Sequence, residues 1–200
     1  MSQFYTLFPS LVHWIEISSF KEVQSEMTRF AYNERRRDPI GESKSNMNGW
    51  QSKGGYYNGD NILAEVIQKE VYNYFSQERI LKEGTELKFK GMWININGKG
   101  AYNILHIHPK STLAAVCWIK SPKDCGDITF NSPQMYSGWE EVNSYNEEVC
   151  KATNIYSEYL VPPKEGAIII FPAYLYHQVL PNKSRKDRIS VSFNMELSSP

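Results

Sequence analysis

The sequence predicts a mainly β protein with helices at its N-terminal end and a double-stranded β-helix core of the jelly-roll or cupin type. Three observations predict it. Eight strand candidates follow one another between residues 86 and 197, turn signals separate them, and two helical segments precede them. One domain is expected over residues 1–200, with strands and two supporting helices in 1–85 and the eight-stranded core in 86–200.

From the N-terminus, "FYTLFPSLVHWIEI" (4–17) is aromatic and β-branched and reads as a strand pair or bent strand around Pro9. "SFKE" (19–22) has the form of a capping box, so a helix should begin after Ser19 and run to about Glu34. The Gly-, Ser- and Asn-rich stretch 35–59 has no period and reads as a loop. After Asp60, residues Ile62, Leu63, Val66, Ile67, Val71, Tyr74 and Phe75 fall on one side at helical spacing. "ELKFKGMWININ" (86–97) then alternates, "NGKG" (97–100) signals a hairpin turn, and "AYNILHIH" answers as the return strand. "TLAAVCWIK", "DITF", "YSEYLVP", "AIIIFP", "YLYHQVL" and "RISVSFNMEL" complete the eight, with no helix expected among them. Residues 131 to about 154 are too long for a tight turn and read as an insertion; with the 41–59 loop they are candidates for a lid.

Composition narrows the function classes. Lysine plus arginine and aspartate plus glutamate stand at 22 each, so no excess charge advertises a polyanion partner, and a nucleic-acid role is disfavoured. The basic run "ERRRD" is flanked by acids and reads as a solvated helix end. Three cysteines without C-x-x-C spacing suggest neither a disulfide framework nor a zinc site. No basic-then-apolar leader is visible after Met1 and no apolar run is long enough to span a membrane. The expected location is the cytoplasm, or the host cytoplasm if a phage encodes the chain.

Four histidines are spread over the whole chain, and two of them, His106 and His108, stand one residue apart at the end of an apolar strand. In a strand, residues i and i+2 share a face, so the two imidazoles lie side by side with Tyr102 and Ile104. That spacing suits chelation of one metal ion, although H-x-H also arises by chance in strands. His177, in the seventh strand candidate, can lie beside the second across a barrel mouth and bring a third imidazole to the same ion. His13, alone in "LVHWI", reads as a hydrogen-bonded structural residue. Further on, Arg188, Ser190, Ser192 and Asn194 share one face of the last strand, and Ile189, Val191, Phe193 and Met195 share the other. A polar face of this kind either lies in water on an edge strand or floors a cavity for a charged ligand; Arg188 with Ser190 suits a carboxylate.

Taken together, "LFPSLVHW", "SNMNGWQS", "NILHIHPKSTLAAVCWI", "CGDITF", "PKEGAIIIFPAYLYHQVLPN" and "DRISVSFN" resemble the 2OG-Fe(II) oxygenase family of bacterial and phage Fe(II)- and 2-oxoglutarate-dependent dioxygenases. The resemblance covers nearly the full length. It implies Fe(II) as the metal and 2-oxoglutarate as cosubstrate, with His177 as the distal iron ligand and Arg188 with Ser190 on the far carboxylate. Tyr102 and Asn194 join the cosubstrate-binding set. His106 falls where the superfamily's H-x-D or H-x-E begins, and His108 occupies the carboxylate's position. Either three histidines hold the ion, or one is displaced and a carboxylate completes the set. Asp127 is the acid nearest in the predicted strands, and the three-histidine arrangement fits strand geometry better. The implied reaction is hydroxylation of an unidentified organic substrate with O2, releasing succinate and CO2. Two rivals remain at this level: a cupin-type metalloenzyme that does not use 2-oxoglutarate, and a non-catalytic β-sandwich binding module. Association into a homo-oligomer is a further expectation if the aromatic N-terminal segment pairs subunits; the same segment could equally cap the barrel.

Overall fold

The protein was studied as a computed structural model that describes residues 5–134 and 140–199. In chain order the elements are β1 (His13–Glu16), α1 (Phe20–Arg37), β2 (Asn46–Met47), β3 (Trp50–Gln51), a short 3-10 turn (Tyr56–Asn58), α2 (Ile62–Gln77), β4 (Glu86–Asn97), β5 (Tyr102–His106), β6 (Leu113–Lys120), β7 (Ile128–Asn131), α3 (Glu140–Ser144), α4 (Glu147–Thr153), β8 (Glu158–Val161), β9 (Ala167–Pro172), β10 (His177–Val179) and β11 (Arg188–Ser198). The strands form two antiparallel sheets: a larger one ordered β1-β9-β6-β11-β4-β3 and a smaller one ordered β2-β5-β10-β7-β8. Four of the eight core strands belong to each sheet, so the chain passes back and forth between them as a double-stranded β-helix.

Alternation along the strands sorts residues into two cores. On the larger sheet's outer face, Ile189, Val191, Phe193 and Met195 of β11 are fully buried in one cluster with Met27 of α1 and Leu63, Ile67, Val71 and Phe75 of α2. Its inner face contributes Val116 and Trp118 of β6 and Ile169 and Phe171 of β9 to a second cluster, which Ile128 and Phe130 of β7 complete from the smaller sheet. β9 is covered on both faces, which is why "AIIIFP" is apolar throughout.

Local sequence signals hold in some places and yield to tertiary pairing in others. Helix α1 begins where expected, but Ser19 makes no side-chain cap hydrogen bond, and the helix continues to Arg37. Asn61 is a working cap for α2, its side chain accepting from the Leu63 and Ala64 amides at 3.1 and 3.0 Å. Of the strand or strand pair expected over 4–17, whose first residue lies outside the described ones, β1 is what forms; residues 5–12 ahead of it are irregular, with Phe8 at φ 58°. The 35–59 loop contains two short strands, β2 and β3. Two short helices, α3 and α4, occupy part of the 131–154 insertion, where no helix was expected; residues 135–139 of that lid candidate lie outside the described ones.

The largest departure concerns "NGKG". β4 and β5 do not form a hairpin, because β4 pairs with β11 and β3 while β5 pairs with β10 and β2. The turn carries the chain from one sheet to the other and is tied to Asn182, whose carbonyl accepts from Gly100 N–H at 2.7 Å and whose own N–H donates to Ala101 O at 3.0 Å. Turn chemistry is local, whereas eleven register pairs with β11, from Arg188↔Asn97 to Ser198↔Glu86, decide where β4 goes.

Candidate active site

The smaller sheet brings the histidines together. β5 and β10 are antiparallel neighbours with His106 opposite His177. His108 lies two residues past the end of β5, where its backbone N–H donates to Ala173 O at 2.9 Å and anchors it to the segment ahead of His177. Ring centroids are 4.3 Å apart for His106–His177 and 5.1 Å for each of the other two pairs. One ligand nitrogen from each ring lies within 4.8 Å of the others, a spacing able to hold a metal ion.

Hydrogen bonding selects which nitrogens face inward. His106 Nδ1 lies 2.7 Å from Ile104 O, and His177 Nδ1 lies 2.9 Å from Leu175 O. A carbonyl only accepts, so each Nδ1 carries the proton and each Nε2 keeps a bare lone pair. The Nε2 atoms of His108 and His177 are 3.2 Å apart. Two nitrogens each about 2.1 Å from one ion and at right angles to it lie about 3 Å apart, so this separation suits a shared metal. Burial lowers all three imidazoles, and with the added effect of neighbouring rings it brings His177 to about 3 and His108 to about 4. All three are therefore neutral at neutral pH, the form that binds metal.

The histidines share a cavity with the inner face of β11. Arg188, Ser190 and Ser192 line it, together with Trp93 and Asn95 of β4 and Trp118 of β6. Arg188 is 2% exposed and has no carboxylate partner among the described residues. Its Nη1 donates to the carbonyls of Cys125, Gly126 and Leu180, the last two at 3.2 Å, and the rest of the fork meets no protein acceptor among the described residues. Burial lowers its pKa to about 10, so it stays charged at neutral pH. A buried guanidinium held by neutral carbonyls on one edge retains donors for an anion on the other. Glycine is needed at 126, where φ is +90° and an added Cβ would meet Leu180 O at 2.1 Å and Arg188 Nη1 at 3.0 Å.

The sequence-predicted residues are placed as follows. His106, His108, His177, Arg188 and Ser190 line the one cavity. Tyr102 and Asn194 are not among its lining residues, whereas Asn103 is; Asn194 Oδ1 is buried without a hydrogen-bond partner among the described residues. The register between β5 and β10 shifts between His177 and Val179, so Asn103 rather than Tyr102 turns inward. Asp127 is outside the histidine cluster. It precedes β7 at the end of β10 away from His177, since Phe130 pairs with His177 and Ile128 with Val179. His13 is hydrogen-bonded to Tyr74 Oη at 3.1 Å, as a structural histidine should be. Asn95, Asn103 and Ser45 were missed as cavity residues. For Asn95 a signal existed, because "MWININ" places Trp93, Asn95 and Asn97 on one strand face.

A double-stranded β-helix with three inward imidazoles and a buried arginine without a carboxylate partner among the described residues forms one cavity with the chemistry to hold a metal ion and an anion. Residues 91–194 match the family model described as "Putative 2OG-Fe(II) oxygenase", and the chain belongs to that family. Fe(II) and 2-oxoglutarate are accordingly its metal and cosubstrate. Solved structures agree on the fold. A Pseudomonas putida prolyl-4-hydroxylase shares 13% identity over 92% of each chain with a TM-score of 0.61. The viral collagen prolyl hydroxylase of Paramecium bursaria chlorella virus-1, solved with 2-oxoglutarate, shares 16% identity over 92% of this chain and 94% of that one, with a TM-score of 0.59. The α-ketoglutarate-dependent epimerase SnoN from nogalamycin biosynthesis shares 12% identity over 92% and 76%, with a TM-score of 0.66. No curated protein sequence matches the chain. Among the described residues no helix is long and apolar enough to cross a membrane.

Proposed function

We propose that this oxygenase is a hydroxylase in which His106, His108 and His177 hold Fe(II) and Arg188 with Ser190 holds the far carboxylate of 2-oxoglutarate. The observation that carries the reading is the pairing, in one cavity, of converging imidazoles with a buried guanidinium that no carboxylate among the described residues neutralises. Bound Fe(II) and 2-oxoglutarate supply the oxidising chemistry, in which O2 delivers one oxygen atom to a substrate C–H bond and the cosubstrate leaves as succinate and CO2.

The chain's own part is binding, orientation and exclusion of water. Neutral imidazoles present lone pairs with no proton to displace. Arg188 offers two donors in a planar fork and Ser190 a third, which fixes a carboxylate's position and direction. Trp93 and Trp118 wall the cavity with apolar surface and keep it dry, strengthening the guanidinium–carboxylate attraction. With three histidines and no carboxylate ligand, the protein contributes one negative charge fewer than a two-histidine, one-carboxylate set.

Anaerobic titration of the metal-free protein with Fe(II) and 2-oxoglutarate tests the proposal. The metal-to-ligand absorption band should appear in the native protein and vanish in His177→Ala. A native protein that binds both yet shows no band would refute the joint site.

A further inference from the structure

We infer that Asn95 is a further cosubstrate-binding residue: its side-chain amide donates an N–H to the far carboxylate of 2-oxoglutarate, beside Arg188 and Ser190. That role rests on the proposed cosubstrate site and adds a residue to it.

Strand register places Asn95. Across β11 and β4, Arg188 stands opposite Asn97, Ser190 opposite Asn95 and Ser192 opposite Trp93. Residues directly opposite in an antiparallel pair share a face with Cβ atoms about 5 Å apart, so Asn95 lies beside Ser190. Both line the histidine cavity, as do Arg188, Ser192 and Trp93. The Trp93 ring stacks on His108 at 5.7 Å and 26°, which marks the metal end of the cavity. Asn95 follows Trp93 by two residues and precedes by two the partner of Arg188, so it stands between the metal end and the guanidinium.

Hydrogen bonding leaves half of this amide without a partner. Asn95 is 5% exposed. Its Nδ2 donates to Ser192 Oγ at 3.0 Å, whereas Oδ1 is buried with no hydrogen-bond partner among the described residues. A buried amide oxygen without a donor is costly, and turning the amide over exchanges its two ends. Ser192 permits the exchange, since a hydroxyl that accepts from N–H can equally donate to C=O. Turned over, Oδ1 takes the Ser192 hydroxyl proton and the amide N–H group faces the cavity. Arg188, the charged group there, is a donor and cannot accept from it. A carboxylate held by Arg188 and Ser190 is the acceptor that fits, and with it both ends of the amide have partners. In the opposite orientation the carbonyl oxygen would call for a donor, which a carboxylate is not. The inner face of β4 thus joins that of β11 in gripping the cosubstrate.

Two substitutions separate a donor from a space-filler. Asn95→Leu keeps the volume and removes the amide; Asn95→Asp keeps the shape and puts a negatively charged acceptor in the donor's place. The readouts, both by calorimetry, are Mn(II) affinity of the metal-free protein and 2-oxoglutarate affinity of the Mn(II)-loaded protein. Mn(II) affinity should stay native in both variants. Binding of 2-oxoglutarate should weaken about ten-fold or more in Asn95→Leu, the loss of one hydrogen bond to a charged group. In Asn95→Asp it should weaken about a hundred-fold or more, because two carboxylates then meet. Native 2-oxoglutarate affinity in Asn95→Leu would overturn the inference. Native or tighter affinity in Asn95→Asp would also overturn it, by showing that the carbonyl end faces the ligand. A parallel loss of Mn(II) affinity would assign Asn95 to the frame of the site and overturn it too. Should Asn95→Leu fail to fold, Asn95→Asp decides alone by the same two affinities. Native protein that binds Mn(II) but no 2-oxoglutarate would instead sink the cosubstrate reading on which the role of Asn95 depends.

Discussion

The two faces of β11 make opposite demands on the same eleven residues. Outward, Ile189, Val191, Phe193 and Met195 are completely buried under the helices. Inward, Arg188 and Ser190 are also buried, yet they are polar and look into a cavity. Burying the first set drives folding, at about 25 cal/mol per Å² of apolar surface. Burying the second set opposes it, because a desolvated guanidinium without a counter-charge costs more than an apolar side chain of its size. A fold that accepts such a cost in its central strand returns it in binding, and the contrast between the faces marks where stability ends and function begins.

That contrast can be broken from either side. Phe193→Ala should have the largest effect, lowering unfolding free energy by about 3–5 kcal/mol through lost burial and the cavity left behind. Denaturant titration would measure it, and the fraction that remains folded should bind 2-oxoglutarate with native affinity. Arg188→Ala should do the reverse. Loss of two charge-assisted hydrogen bonds to a carboxylate predicts at least about a hundred-fold weaker 2-oxoglutarate binding. The thermal midpoint should move little, since relief of the buried charge offsets the hydrogen bonds lost at Cys125, Gly126 and Leu180. If Arg188→Ala unfolds the protein while 2-oxoglutarate affinity in Phe193→Ala collapses, the division between the faces is wrong.

Much of this was legible in the sequence where the pattern is periodic. The alternation from Arg188 to Met195 gave both faces of β11, and eight strand candidates correspond to β4 through β11. The adjacency of His106 and His177 followed from strand order, and β5 and β10 do pair at those residues. Periodicity fails where one residue is out of step. Tyr102 was expected to share the histidine face because i, i+2 and i+4 do so in an ideal strand, but the register shift at His177/Val179 turns Asn103 inward instead. Partner choice is likewise not local. "NGKG" has the residues of a tight turn, yet the strands on either side belong to different sheets because β11 and β10 offer longer-range pairing. Ser45 reaches the cavity from a segment without period, through β2 beside β5, and Asn103 Nδ2 lies 3.3 Å from its Oγ. No spacing rule connects residues 45 and 103.

The smallest expected effect concerns the histidines, where burial again opposes charge. In the unfolded chain they protonate near pH 6.5, whereas in the fold His108 does so at about 4 and His177 at about 3, chiefly because burial penalises the cation. Between those limits the unfolded state binds more protons than the folded one, so stability falls as the pH drops. The loss begins at about pH 6.5 and continues to about 4, below which His108 protonates in the fold too and its contribution levels off. Each of the two histidines should cost the metal-free protein on the order of 1 kcal/mol over the first pH unit below 6.5. Urea titrations at pH 7.5 and 5.5 would measure the loss, to which the partly buried His106 and His13 add, and His177→Gln should shrink it by on the order of 1 kcal/mol. Unlike Arg188, whose charge persists in the cavity across this range, the imidazoles are buried in their neutral form. A stability difference unaffected by removing His177 would mean that the acid sensitivity arises elsewhere and that the ring is not desolvated as its contacts require.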